Sequence, residues 1–223
     1  MTTDERPTPG RGRRPTARSI TPAAPAEFGC VQVWWGDGKG KTTAAMGMGF
    51  RAAGHGYRVH MLQYMKGGAD SVADVRGEYN AIAAMPGFTY ENTGHYGWHR
   101  LNDGSADADH QVKADAAVAR TEELLTAASA ADLTAPLPLD GAAADGMHML
   151  ILDEVLYAVE QELVAPQTVL DLLDAAPDCL ELILTGGHTE PTYLRDHADL
   201  ITAVRKQKHP FDAGVRARQG TEY

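Results

Sequence analysis

The sequence predicts an α/β fold built on a mostly parallel sheet flanked by helices. Three observations carry that reading. Short apolar stretches alternate with helical ones from Val31 onward. A glycine-rich turn, Gly36 to Gly40, joins the first apolar stretch to the first helix. Leu150-Ile151-Leu152 forms a third kind of signal, an apolar strand that delivers two carboxylates, Asp153 and Glu154, at its end.

Val31 to Trp35 reads as a strand. Lys41 to Ala53 reads as a helix, with Ala44, Ala45, Gly47 and Gly49 small enough for close packing, and Gly54 and Gly56 ending it. Tyr57 to Tyr64 returns as a strand, so strand, loop, helix and strand make the βαβ unit of a parallel sheet. Arg76 to Ala84 is a short helix and Phe88 to Asn92 a short strand. Thr93 to Asp109 is a loop, and His110 to Ala131 a long Ala-rich helix. Leu133 to Gly146 holds two prolines and two glycines and reads as a surface insertion. Met147 to Leu152 is a strand, and Pro166 to Ala175 a helix with proline at its start. Leu180 to Thr185 is a strand, Glu190 to Ala198 a helix, and Leu200 to Arg205 the last strand.

Residues 1–27 stand apart. Five prolines and five arginines among few apolar residues predict a disordered, solvated tail, leaving 28–223 as one domain. A second reading of that tail is a flap that orders over a site when substrate binds.

Composition sets limits. The 223 residues are 43% hydrophobic, enough for a sizeable core. No run of about eighteen apolar residues predicts a membrane span, and the N-terminus lacks the apolar stretch of a secretory signal. A net charge of −10 argues against nucleic acid as a partner. Six lysines against fourteen arginines, on an acidic body, fit either a protein kept soluble at high salt or an ordinary acidic one. Two cysteines, Cys30 and Cys179, make neither a disulfide framework nor a four-cysteine zinc site, so the expected compartment is the cytoplasm.

The chemistry concentrates in two places. Gly36-Asp37-Gly38-Lys39-Gly40-Lys41-Thr42-Thr43 lies between a strand and a helix, the context of a phosphate loop. Its glycines let backbone N–H groups cradle oxyanions, and the helix N-terminus adds partial positive charge. Lys41 is placed to reach phosphate oxygens and Thr42 to offer its hydroxyl to Mg²⁺. The pattern is a variant, with Trp35 where the usual loop has its first glycine and an extra lysine at 39. Asp153 and Glu154 are the expected partners: one carboxylate for Mg²⁺, the other for a water or a substrate group. Which of them takes the metal stays open at this level. Arg51, ten residues after Lys41, is a candidate for a phosphate or ribose, or else an exposed or salt-bridged arginine.

The loop Thr93-Gly94-His95-Tyr96-Gly97-Trp98-His99-Arg100 alternates His and Arg with aromatics, and reads either as a lid on the core edge or as a binding loop. No serine-nucleophile elbow, protein-kinase motif set or GTPase base-reading motif occurs.

Taken together, the blocks resemble the P-loop corrinoid adenosyltransferases, which adenosylate cob(I)alamin or cob(I)yrinic acid a,c-diamide. The resemblance rests on the phosphate loop through Ala45, on Arg51-Ala52-Ala53-Gly54-His55-Gly56, and on Gln63-Tyr64-Met65-Lys66-Gly67. It rests further on Leu152-Asp153-Glu154 with Tyr157, and most specifically on the C-terminus from Lys208-His209-Pro210-Phe211-Asp212 to Gly220-Thr221-Glu222-Tyr223. It runs from about Val31 to Tyr223. Three departures stand out: Trp35 replaces a threonine, Thr185-Gly186-Gly187 replaces Thr-Gly-Arg, and the aromatic loop is one residue longer.

The resemblance implies a P-loop NTPase-like (RecA-like) sheet and a reaction. Reduced Co(I) attacks the ribose 5′ carbon of ATP, and the whole triphosphate leaves. It implies ATP as co-substrate with Mg²⁺ or Mn²⁺, held by Thr42, Asp153 and Glu154. Gly36, Asp37, Gly38, Lys39, Gly40, Lys41, Thr42, Thr43 and Arg51 are the implied ATP contacts. Tyr96, Trp98 and Lys66 are the implied corrinoid contacts, and Lys41, Glu154, Trp98 and Tyr96 the catalytic set. A flavoprotein or other reductase supplying Co(I), and a homodimer, are the implied partners. Two rival readings fit the motifs: a P-loop kinase or ATPase, and a nucleotide-gated corrinoid carrier without turnover.

Overall fold

A computed structural model of the chain describes residues 18–66, 77–94 and 106–221. Its centre is a sheet of six strands: β1 (Val31–Trp35), β2 (Val59–Gln63), β3 (Phe88–Asn92), β4 (Met149–Asp153), β5 (Glu181–Thr185) and β6 (Leu200–Ala203). Their order is β3-β2-β4-β5-β1-β6, and every pairing is parallel. Five helices accompany them: α1 (Lys41–Gly54), α2 (Gly77–Ala83), α3 (Asp107–Ala130), α4 (Val155–Glu160) and α5 (Pro166–Asp174).

β2, β4 and β5 are buried on both faces, so residues 149–152 and 182–184 are continuous apolar runs rather than alternations, while β2 also buries His60 and Gln63. One layer packs Met61, Met149, Ile151 and Ile183 against Ala45, Ala52 and Ala53 of α1. The other packs Leu62, Leu150, Leu152, Leu182 and Leu184 with Leu124 and Ala128 of α3, Leu156 of α4 and Val169 and Leu172 of α5. Gly49 sets the spacing of the first layer. A Cβ there would stand 2.6 Å from the Phe88 ring, so α1 approaches the sheet more closely than alanine allows.

The expected βαβ unit is present, with β1 and β2 parallel in one sheet. β1 and β2 are not neighbours, because β4 and β5 lie between them. α1 crosses this gap and touches β1, β5, β4 and β2 on its way. Its small-residue face makes that long crossing possible.

Two expectations are corrected. Residues 133–146 are not a surface insertion: Leu133, Leu137 and Ala143 are buried in the core. The segment covers the N-terminal end of the sheet, where the Arg58 guanidinium donates to the carbonyls of Gly141 and Ala142. Residues 190–198 form only a short 3₁₀ turn over Thr192–Leu194, not a helix. The chain must reach β1 by Asp199, whose carboxylate accepts from Val31 N and whose N–H donates to Val31 O.

Residues 18–27 have no regular structure, yet they are not simply solvated. Ala23 N–H donates to Gly56 O at 3.0 Å, which seats the described part of the tail on the α1–β2 turn. No described helix is long and apolar enough to cross a membrane. Both cysteines are free thiols.

Candidate active site

Four neighbouring strands end at the same edge of the sheet. β2 ends at Gln63, β4 at Asp153, β5 at Thr185, and β1 runs into the phosphate loop. That is where open parallel sheets bind ligands, because helix N-termini and loops converge there.

The loop's shape depends on glycine. Gly36 adopts φ 123°, and a Cβ there would stand 2.3 Å from Val204 O. Gly38 N–H donates to that same carbonyl at 2.8 Å, so the loop lies against the chain leaving β6. Gly40 adopts φ 120° at the start of α1, where no side chain caps the helix. The first-turn N–H groups of this fourteen-residue helix therefore lack a capping side chain and face the cavity. Lys41 Nζ donates to Gly36 O at 2.5 Å and Gly38 O at 3.3 Å, folded back on the loop it would leave for a phosphate.

A cavity of 670 Å³ opens above this loop, lined by Gly38 to Thr43, Met46, Lys66, Gly77, Glu78, Glu154 and the C-terminal Ala217, Gly220 and Thr221. Lys39 Nζ donates to Thr221 O at 2.9 Å, which brings the C-terminal segment to the rim.

Glu154 lines the cavity, and Asp153 lies behind its wall. Asp153 is fully buried. Its Oδ2 accepts from Lys66 Nζ at 2.7 Å and from Gln63 Nε2 at 2.9 Å, and its Oδ1 accepts from Thr185 Oγ1 at 2.6 Å. Burial works against its charge, but the Lys66 ammonium and the hydrogen bonds from Lys66, Thr185 and Thr42 outweigh that and hold the carboxyl below its usual range. Glu154 is the opposite case. Burial and the neighbouring Asp153 charge push its carboxyl up, only partly opposed by Lys66 and Lys41.

Glu154 also has a left-handed backbone, φ 62°, uncommon for a residue with a Cβ. Thr185 Oγ1 accepts its N–H at 3.1 Å. Gly186 leaves the room, since a Cβ there would stand 2.9 Å from Glu154 Cα. The Thr185-Gly186-Gly187 sequence thus holds the acidic strand end in place.

The structure gathers Gly38, Lys39, Gly40, Lys41, Thr42, Thr43, Lys66, Asp153 and Glu154 at one edge. It does not bring Asp37 into the cavity: the Asp37 carboxylate accepts Lys206 N–H at 3.0 Å, which lowers its pKa. Nor does it bring Arg51, which is exposed about 15 Å along α1 from Lys41 at the usual helical rise. Gly36 acts by loop shape and lies behind the cavity wall. Lys66, expected on the corrinoid side, has its ammonium between Thr42 Oγ1 (2.9 Å) and Asp153 Oδ2 (2.7 Å). Tyr96 and Trp98, like His95, His99 and Arg100, lie outside the described residues.

Sequence reasoning missed Gln63, Thr185 and Tyr79 as parts of this site. Tyr79 OH donates to Gln63 Oε1 at 2.7 Å and accepts from Asn92 Nδ2 at 2.8 Å, so α2 is tied to Asp153 through Gln63. The available signal was position: Gln63 and Thr185 end apolar strands as Asp153 does.

A phosphate loop leading into α1, opposite a buried strand-end carboxylate on a parallel sheet, defines a nucleotide-binding protein of the P-loop class. Residues 27–223 match the family described as ATP:corrinoid adenosyltransferase BtuR/CobO/CobP, and the chain belongs to that family of transferases. It is 33% identical over 205 residues to the corrinoid adenosyltransferase CobA of Salmonella typhimurium, covering 90% of this chain and 88% of that one. It is 30% identical over 202 residues to the corrinoid adenosyltransferase of Escherichia coli K12, covering 88% and 87%. The Pseudomonas aeruginosa corrinoid adenosyltransferase is 27% identical over 197 residues, covering 88% and 85%.

Proposed function

We propose that this chain transfers the 5′-deoxyadenosyl group of ATP to the Co(I) of a corrinoid and releases tripolyphosphate, in adenosylcobalamin biosynthesis or salvage. The observation that carries this reading is the uncapped N-terminus of α1, with Lys39 and Lys41 beside it, in a cavity faced by Glu154 and Lys66 on a chain of this family.

The chemistry asks little proton transfer of the protein. The Co(I) lone pair forms a bond to C5′, the C5′–O bond breaks, and the triphosphate leaves with that electron pair. Cobalt is oxidised by two electrons and the carbon is reduced. What the protein must supply is in-line placement and stabilisation of a polyanionic leaving group. The loop amides from Gly38 to Thr43, with Lys39 and Lys41, take that role. Gly36 and Gly40 give the loop its turn. Tyr96 and Trp98 are assigned to the corrinoid.

Mg²⁺ or Mn²⁺ fits the donors present. Thr42, Asp153 and Glu154 offer hard oxygens. Among the described residues no group of three His, Cys, Asp or Glu side chains makes a metal cage. Mg²⁺ suits such a site, being commonly held by one or two carboxylates together with substrate phosphates. When bound it supplies charge neutralisation for the leaving triphosphate. A reductase that delivers Co(I), a homodimer and a cytoplasmic location complete the reading.

The test is an end-point reaction in the dark, with purified protein, ATP, Mg²⁺ and chemically reduced corrinoid. A light-sensitive Co–C product together with tripolyphosphate is the expected result. ADP without a Co–C bond would replace this reading by phosphoryl transfer, and bound corrinoid with neither product by a carrier.

A further inference from the structure

Lys66 stands where a cation is wanted. Its ammonium bridges Thr42 Oγ1 and Asp153 Oδ2, which are a hydroxyl at the start of α1 and a wholly buried carboxylate. Asp153 takes further donors from Gln63 and Thr185, and Thr42 bonds to it as well. Both carboxylate oxygens are thus satisfied with Lys66 in place, and the buried charge is neutralised by the chain itself.

The lysine is built to stay there. Asn92 Nδ2 donates to Lys66 O at 3.3 Å, and Gly94 passes so close that a Cβ would stand 2.5 Å from Lys66 N. The backbone is held by the end of β3, while the flexible stem carries the charge. Glu154 Oε1, 4.0 Å from Nζ, is a second anion within reach of the same ammonium.

We infer that Lys66 is a resident counter-ion that holds the metal position closed until the metal arrives with the nucleotide. This rests on the reading of Thr42 and Asp153 as metal ligands. The ammonium and a divalent cation need the same two oxygens and repel each other, so they cannot share the position. Free metal must break the Lys66–Asp153 ion pair and brings no anion of its own to the ammonium. Metal arriving with a triphosphate brings the anion onto which Lys66 can shift, with Glu154 beside it. The device selects the metal–nucleotide complex over the bare ion. Lys66 acts here as a positioning residue.

The experiment is equilibrium dialysis of the full chain against Mn²⁺, with and without ATP, alongside thermal melts. Wild type is expected to retain Mn²⁺ with ATP and to retain little without it. Lys66→Met is expected to bind Mn²⁺ alone on the order of tenfold more tightly, the size seen when a group tuning a metal ligand is changed. It should melt lower than wild type and recover with Mg²⁺ alone. Adding Asp153→Asn to it should abolish that uptake and that recovery.

Equal Mn²⁺ uptake by wild type with and without ATP overturns the inference, and needs no variant that folds. No gain in Lys66→Met, where the variant folds, overturns it as well. Failure of wild type to retain Mn²⁺ even with ATP overturns the metal reading beneath it, which separates the two.

Discussion

At the C-terminal end of the sheet Asp153 is fully buried beside Lys66. At the N-terminal end Glu181 and Arg58 are buried almost as deeply, at 5% and 2% exposure. The two ends differ in what completes them. The Glu181 carboxylate accepts from Gly29 N and Cys30 N, which lead into β1, and from Gln32 Nε2 within it. Arg58 donates to two carbonyls of the 133–146 segment, and its own N–H donates to His148 Nδ1. Those partners are backbone groups and core side chains of neighbouring segments. At the other end Lys41 is folded onto its own loop, the α1 N-terminus is uncapped, and Glu154 carries a raised pKa beside a 670 Å³ cavity. Arg58 Nη1 itself has no hydrogen-bond partner, yet it faces no phosphate loop. Buried charge alone does not mark a site. Buried charge beside an uncapped helix N-terminus and a cavity does.

The comparison predicts that changes at the cavity end cost activity first, and changes at the closed end cost stability alone. The largest effect is expected for Lys41→Ala. Losing one preorganised donor to a leaving polyanion should lower the rate of tripolyphosphate release by about 10²–10³. Its melting temperature should stay near wild type, since the two loop carbonyls it leaves can turn to water. A large drop in melting temperature with the rate retained would make Lys41 a structural lysine and break the contrast.

Glu181→Ala is the counterpart at the closed end. It strands three donors around β1. An unsatisfied buried group costs about 1–3 kcal/mol, so a total near 3 kcal/mol is expected after water reaches some of them. Denaturant titration measures it. The rate of the protein that remains folded should be unchanged, and a lowered rate would show the two ends to be coupled.

These contrasts also show what the sequence could and could not disclose. The phosphate loop was legible because its chemistry is local: glycines, Lys41 and Thr42 act within eight consecutive residues. The positions of β4 and β5 were legible because both are buried on both faces and so read as apolar runs, and that of β2 because it follows the glycines that end α1. Gln63 and Thr185 were not legible as site residues. Their roles depend on β2 and β5 flanking β4, and strand order is a long-range property that no local pattern carries. The 133–146 segment misled because prolines and glycines describe its turns, while its core contribution rests on three spaced residues, Leu133, Leu137 and Ala143.

Thr185→Val sharpens the comparison from the cavity side. It keeps the shape of a fully buried side chain and removes the hydroxyl that donates to Asp153 and accepts from Glu154 N–H. A hydrogen bond to a charged group is worth about 1.5–3 kcal/mol, so a stability loss near 2 kcal/mol is expected. Activity should fall as well, because Glu154 loses the contact that holds its left-handed backbone. Intact activity in the destabilised variant would place Thr185 with the closed end instead.

The smallest effect concerns acid, and it arises away from the cavity. Burial pushes the His60 imidazole down from 6.5 to about 4, against the opposing pull of Glu91. Its Nδ1 pairs with Thr89 Oγ1 at 2.8 Å. Unfolded, the ring takes a proton near 6.5, while folded it stays neutral until about 4. The unfolded chain therefore binds more protons across that window, and stability must fall as the pH drops through it. The loss from this ring is about 1 kcal/mol between pH 6.5 and about 5.5. His148, also pushed down by burial, acts in the same direction. Denaturant midpoints for wild type and His60→Gln across this range measure the difference, with a shallower slope expected in the variant. Parallel slopes would mean that His60 gains its proton without cost, and the closed end would then hold less of the acid sensitivity than its burial implies.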